Sequence, residues 1–217
     1  MQSEGIFQTR TLRTVLASGL VVLAAWIAAA TRPTSGSAWI LDSLHWSCAF
    51  CAAAWIAWRA ARAASGNLRR VRQRFALGLA FLAAGQLTWD LLSWIGWNPF
   101  PGIPNLLYLL LSPCFALGFA ATVGEQMPGS RWKSAVLDVA GFGLAVLAFT
   151  LALFLPHAGS RSALEFAVLT AYPVLLFSAA AAGIIVQLHL RLRPTAATLA
   201  VIGGLAGYGV LDRKSVV

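Results

Sequence analysis

The sequence predicts an all-α, polytopic membrane helix bundle of about seven transmembrane helices, with its N-terminus in the cytoplasm. Hydrophobic residues make up 59% of the 217 residues and charged residues only 11%, whereas a soluble domain carries roughly 25% charged residues. The mean hydropathy is +0.75, and apolar runs of about 20 residues recur, which is the length that a helix needs to cross a bilayer. The alternation of apolar and polar residues that is typical of a membrane barrel is absent from the sequence.

The apolar runs define the predicted spans, and the basic residues define their orientation. Most of the 16 lysines and arginines lie in alternate loops, and six arginines fall between residues 59 and 74. Because basic residues accumulate in cytoplasmic loops, this asymmetry places the N-terminus in the cytoplasm. The spans are expected at 12–31, 38–58, 75–95, 103–123, 134–155, 163–188 and 195–211.

The net charge of +9 would favour nucleic-acid binding in a soluble chain. Here the basic residues lie in short loops beside membrane spans, where they set orientation and can contact anionic headgroups. We therefore expect the lipid bilayer as a partner and no nucleic acid. In the last span, Gly203 and Gly207 permit close helix contact, either within the bundle or in a homodimer.

The end of the third span and the turn after it carry the strongest functional signal. Asp90 lies in an apolar run, about five residues or roughly 8 Å of helix rise below the outer boundary, and an acid inside a membrane suggests function. Trp94, Trp97 and Phe100 follow at the turn, and aromatic rings can stack on a ligand or cation. We therefore predict a sensing pocket for a small ligand, ion or proton, formed by these four residues. The structural alternative is that Gln86 or another polar neighbour satisfies Asp90.

Two prolines within predicted spans are candidate hinges. Pro113 and Pro173 each lack a backbone N–H, which frees the carbonyl four residues earlier in a helix. Ser112 and Thr170 are placed to help satisfy the exposed groups. A kink without function is the open alternative.

The two prolines also mark a weak internal repeat with a spacing of 60 residues. Each lies in a span that runs from outside to inside, so the hairpins 75–123 and 134–188 are predicted as repeats of the same orientation. Transporters often contain inverted repeats instead. Asp138 and Glu165 lie near the starts of the two spans of the second hairpin, and we expect both to act as helix caps.

The second span carries a stripe of potential metal ligands at a spacing of three residues: Asp42, His45, Cys48 and Cys51. Imidazole and thiolate groups bind transition metals, and neighbouring positions on a helix can share an ion, although all four cannot share one. A metal or redox sensor is one interpretation, and buried cysteines acting as small apolar residues is the other. The sequence contains no known catalytic motif, so neither catalytic residues nor a cofactor are predicted.

Spans three to six contain aromatic, proline and polar residues in a distinctive order: Trp89, Pro99-Phe100-Pro101, Asn105, Tyr108-Leu109, Pro113, Asp138 and Tyr172-Pro173. With these features, residues 75–190 resemble the multi-pass N-terminal sensory region of bacterial diguanylate cyclase and phosphodiesterase (GGDEF/EAL) proteins and of some sensor kinases. The resemblance implies a signal-input module in the bacterial inner membrane. It also implies a cytoplasmic output domain in the c-di-GMP pathway, so this chain itself is not expected to be an enzyme.

The last six residues, 212–217, match the translation of a common sequencing-adapter DNA. We expect this tail to be non-native and the sensory domain to occupy 1–211. Seven spans from a cytoplasmic start would leave the end of the chain outside, so we expect an eighth span and an output domain in the natural protein. The alternative functions are a small transporter or permease, or the sensor region of a histidine kinase.

Overall fold

The fold is built from helices, and the described residues contain no strand. The structure, a computed structural model, describes residues 16–24, 27–28, 31, 36–97, 99–123, 129–159, 161–191, 193 and 195–211. The helices are α1 (Gly36–Arg62), α2 (Gly66–Trp94), α3 (Ile103–Leu109), α4 (Leu111–Val123), α5 (Gly129–Phe154), α6 (Ala163–Leu190) and α7 (Ala196–Leu211), and a 3₁₀ helix spans Leu155–His157. The predicted tail 212–217 and parts of the first predicted span lie outside the described residues.

Four stretches among the described residues are long and apolar enough to cross a membrane. They are α2, α3 together with α4, most of α5 (Arg131–Phe154) and α6. This confirms the all-α class and is consistent with a membrane protein. The finer prediction of seven spans is not reached by this measure: α7 has only 16 residues, and parts of the first predicted span lie outside the described residues.

The helices pack in a chain of neighbours with α6 at its centre. α1 packs on α2, α2 on α4, and α4 on α6, which also contacts α5 and α7. Half of the apolar stretch of α6 is buried, against 6% for α5. α5 therefore presents most of its surface outward, as a helix does at the lipid-facing edge of a bundle.

Aromatic rings that pack against one another and over a glycine hold α2 and α4 together. The ring of Phe75 lies 4.9 Å from that of Phe115 and 5.1 Å from that of Phe119, between ring centres. A Cβ atom added to Gly118 would lie 2.5 Å from the Phe75 ring, which is closer than side chains approach. Small residues thus allow α2 and α4 to come together, a common arrangement between membrane helices.

The two prolines have different effects on their helices. Leu110 separates α3 from α4, three residues before Pro113. The break puts Pro113 in the first turn of α4, where a missing N–H costs little. Pro173 instead lies inside α6, which is continuous.

Contrary to the prediction, the hydroxyl groups beside the prolines do not bond to the carbonyl groups that the prolines leave free. Thr170 Oγ1 donates to the carbonyl of Phe166 at 2.8 Å, one turn before it. Ser112 Oγ is buried and has no hydrogen-bond partner in the part of the chain that the structure describes. The start of α4 therefore contains an unsatisfied hydroxyl next to the helix break.

The predicted role as a helix cap is confirmed for Glu165 and is wrong for Asp138. Ser162 and Glu165 form a capping box at the start of α6: the Ser162 N–H donates to Glu165 Oε2 at 2.7 Å, and the Glu165 N–H donates to Ser162 Oγ at 3.3 Å. α5 begins at Gly129, well before Asp138, so Asp138 is not in the first turn. Its carboxylate instead contacts His189 Nε2 at 2.9 Å.

Candidate functional site

Asp90 is buried near the end of α2 and is hydrogen-bonded through both carboxylate oxygens. Its side chain is 5% exposed. Oδ2 accepts a hydrogen bond from the hydroxyl of Ser47 in α1, and Oδ1 accepts one from Nε2 of Gln86 at 2.9 Å. A buried acid is costly unless it is paired or hydrogen-bonded, and these two donors meet that requirement.

The hydrogen bonds continue from Gln86 to α3. Gln86 Oε1 accepts from the hydroxyl of Tyr108 at 3.0 Å. Gly85 makes room for this contact, because a Cβ atom there would lie 2.7 Å from the Tyr108 ring. Ser47, Asp90, Gln86 and Tyr108, which we call the Asp90 network, therefore connect α1, α2 and α3.

A second set of hydrogen bonds connects α3 to α6. Asn105 Nδ2 donates to the hydroxyl of Tyr172 at 3.0 Å, and that hydroxyl donates to the Asn105 carbonyl at 3.3 Å. Asn105 Oδ1 also accepts from the Gly102 N–H at 2.9 Å, at the start of α3. The seven residues of α3 are thus held on one side by α2 and on another by α6, immediately before the break at Leu110.

The three aromatic residues of the predicted sensing pocket lie at the surface. Trp94 is 61% exposed, Trp97 57% and Phe100 37%. Side chains this exposed do not enclose Asp90, whose observed hydrogen bonds come from Ser47 and Gln86. Exposed tryptophans suit the boundary between membrane and water.

The residues of the predicted metal stripe differ widely in burial. His45 is buried and its ring lies 4.7 Å from that of Trp46, Cys48 is half-buried, and Cys51 is exposed. The side chain of Asp42 lies outside the described part of the structure. Among the described residues, no three His, Cys, Asp or Glu side chains form a group that could hold a metal ion.

The two candidate hinges each lie close in sequence to a hydrogen-bonded tyrosine. Pro113 is exposed and follows Tyr108 by five residues, whereas Pro173 is half-buried and directly follows Tyr172. Sequence reasoning missed Ser47 entirely. The signal was present, because Ser43 and Ser47 are four residues apart and both buried, which places two small polar groups on one face of α1.

These features define a helical bundle with four membrane-length stretches and a hydrogen-bonded acid buried where helices meet. Intramembrane acids of this kind are commonly functional. Comparisons of the chain with protein-family models, with curated proteins and with solved structures gave no match.

Proposed function

We propose that this chain is the membrane-embedded sensory module of a bacterial inner-membrane signalling protein whose longer natural form carries a cytoplasmic output domain. The observation that supports the proposal best is the Asp90 network, because it connects a buried acid to three helices beside a helix break. The sequence resemblance favours an output in c-di-GMP signalling. A histidine kinase would use the same kind of input with a different output.

The proposed input is a proton or small cation that reaches Asp90 from the outer side. Neutralising the carboxylate weakens two charge-assisted hydrogen bonds, those from Ser47 and Gln86, at the same time. α1 is attached through Ser47, and α3 through Gln86 and Tyr108, so both helices lose contacts to α2. The input shifts the population of helix arrangements by no more than its difference in affinity for them.

The proposed movement uses the break between α3 and α4. Pro113 prevents a complete set of helical hydrogen bonds across the break, and the start of α4 already contains the unsatisfied Ser112 hydroxyl. α3 and α4 are already separate helices, so α3 can change its angle to α4 without breaking helical hydrogen bonds within either helix. We propose Pro113 as the main hinge and Pro173 as a secondary one.

The proposed topology has seven spans and a cytoplasmic N-terminus. α1 has 27 residues, about 40 Å of helix, and Ser47 near its middle contacts Asp90, so we count α1 as a span beside α2. The predicted spans 12–31 and 195–211 complete the seven. A reporter fused after residue 66 is expected in the cytoplasm and one fused after residue 100 in the periplasm; the opposite pattern would refute this orientation.

Substitution of Asp90 tests the proposed input. We expect the tryptophan fluorescence of the purified protein in nanodiscs to change with pH or with added cations, and Asp90→Asn to abolish that change. Asp138→Asn is the matched control, because it removes an exposed acid outside the network. If Asp90→Asn keeps the full wild-type response, Asp90 is a structural residue and the proposed input is wrong.

A small transporter is the second candidate, and the break between α3 and α4 is the observation that favours it. Transporters commonly bind substrates at discontinuous helices. The predicted repeats count against a transporter, because they have the same orientation, whereas many transporters contain inverted repeats. The genomic sequence beyond codon 211 distinguishes the two: a linker followed by a GGDEF domain supports the sensor, and a stop codon after one more helix supports the transporter.

A further inference from the structure

A cleft of about 490 Å³ lies where α5 begins and α6 ends. Arg131 and Ser134 line it from the first turns of α5, and His189 and Arg191 line it from the end of α6. The side chains of all four residues can donate hydrogen bonds. The cleft is therefore suited to a ligand that is rich in acceptor oxygens.

Among the described residues, the acid beside the cleft, Asp138, contacts the histidine and neither arginine. In the described part of the chain, neither Arg131 nor Arg191 forms an ion pair. Asp138 contacts His189 Nε2 at 2.9 Å, which holds the imidazole ring in place, but Asp138 does not line the cleft. The guanidinium groups of Arg131 and Arg191 give the cleft a positive charge. These groups together favour an anion.

The backbone of Arg191 supports a role for its side chain. Arg191 follows the last residue of α6 with φ 53° and ψ 33°, in the left-handed region, and it is the only non-glycine residue described with a positive φ. Glycine is the usual residue at such a helix end because it adopts this conformation without strain. A strained residue is often retained because its side chain is used.

We infer that this cleft binds a phosphate-bearing anion. Arginine presents its N–H groups in a planar fork that matches two phosphate oxygens, so Arg131 and Arg191 hold the phosphate from the two helices and Ser134 donates to a further oxygen. The phosphate belongs either to an anionic lipid headgroup at the membrane surface or to a soluble phosphate ester. The site is separate from the Asp90 network and involves none of its residues.

Binding measurements with two probes test the inference and identify the source. The lipid probe is phosphatidylglycerol in phosphatidylcholine nanodiscs, followed by native mass spectrometry, and the soluble probe is glycerol 3-phosphate, followed by thermal shift. Binding of phosphatidylglycerol alone identifies a lipid site, whereas binding of glycerol 3-phosphate identifies a site for soluble esters. Absence of binding to both probes overturns the inference.

A double substitution distinguishes binding in the cleft from attraction of the probe by the overall positive charge. We expect Arg131→Gln with Arg191→Gln to weaken binding of the bound probe at least tenfold. Arg69→Gln with Arg70→Gln removes the same charge from two exposed residues outside the cleft and should change binding less than twofold. Equal weakening in both variants would mean that charge alone attracts the probe, and the inference would fail.

Arg191→Gly separates ligand binding from helix termination. Glycine relieves the left-handed backbone, so the variant should have a higher Tm than the wild type without ligand. It should nevertheless bind the probe at least threefold more weakly, because one guanidinium is lost. Unchanged binding would show that Arg191 only ends α6, and the proposed site would be wrong.

Discussion

In the hairpin formed by α2, α3 and α4, a buried acid belongs to a hydrogen-bond network that joins helices, whereas in the hairpin formed by α5 and α6 the acids lie in exposed contacts towards the helix ends. In the first, Gln86 of α2 donates to Asp90 one turn later in the same helix and accepts from Tyr108 of α3. In the second, Ser162 and Glu165 form a capping box at one end, and Asp138 contacts His189 towards the other. Polar groups at helix ends stabilise helices whatever their neighbours, but buried polar groups make stability depend on how the helices are arranged.

This difference has a consequence for the predicted repeat of hairpins 75–123 and 134–188. The first hairpin has 39% and 44% of its two apolar stretches buried, whereas the second combines 6% in α5 with 50% in α6. The proline of the first hairpin lies beside a break, and that of the second lies in a continuous helix. Similar sequence patterns therefore occupy different environments, and a change in the charge of Asp90 would act directly on the first hairpin and on α1, whose Ser47 donates to it.

Removing Gln86 should have the largest effect on stability. Gln86→Leu deletes the donor to Asp90 and the acceptor for Tyr108, which leaves a buried carboxylate with one fewer partner, and we expect a loss of about 2–4 kcal/mol. Thermal unfolding in detergent, followed by circular dichroism, measures this loss. Gln73→Leu, at an exposed position of the same helix, should stay within about 0.5 kcal/mol. Equal effects of the two substitutions would remove the contrast between the hairpins.

Replacing a glycine with alanine should give the second largest difference in stability between the two hairpins. Gly118→Ala places a Cβ atom 2.5 Å from the Phe75 ring, and we expect a cost of about 1–3 kcal/mol. A Cβ atom on Gly141 in α5 meets nothing within 4 Å, so Gly141→Ala should stabilise its helix by up to about 1 kcal/mol. The same unfolding measurement compares them, and a destabilising Gly141→Ala would show that α5 has a close neighbour.

Replacing the prolines should have a smaller effect on stability, and the effect should differ between the two sites. Pro173→Ala restores a backbone donor inside α6 and should raise stability by about 1 kcal/mol or more, since interior prolines disrupt helical hydrogen bonding. Pro113→Ala should change stability by less than about 0.5 kcal/mol, because Pro113 is in the first turn of α4. A larger gain at Pro113 than at Pro173 would contradict the assignment of the break.

Loss of the capping box should give the smallest effect. Glu165→Ala removes the acceptor for the Ser162 N–H, and we expect a loss of about 0.5–1 kcal/mol. Because the contact is exposed and local, the tryptophan fluorescence response that we propose for Asp90 should be unchanged. A Glu165→Ala variant that also lost this response would connect the end of α6 to the Asp90 network.

Much of the candidate site could be recognised before its partners were known. Asp90 was predicted from its apolar surroundings, and Gln86 was named as a partner because it is four residues away on the same helix. Ser47 was missed because it comes from another helix. The prediction that Trp94, Trp97 and Phe100 share a pocket with Asp90 rested on their closeness in sequence, which does not determine whether side chains turn towards the bundle or away from it.

Composition and local spacing are enough to predict the helical class, the membrane-length apolar stretches and the local contacts, which are the Ser162–Glu165 capping box and the Gln86–Asp90 pair. These depend on composition and on residues three or four positions apart, which the geometry of any helix brings together. The contacts of Ser47 with Asp90, 43 residues apart, and of Asn105 with Tyr172, 67 residues apart, depend instead on how the helices pack. The physical reason is that helices that are apolar on all sides carry little information about which face meets a neighbour, so rotation and depth are set by packing.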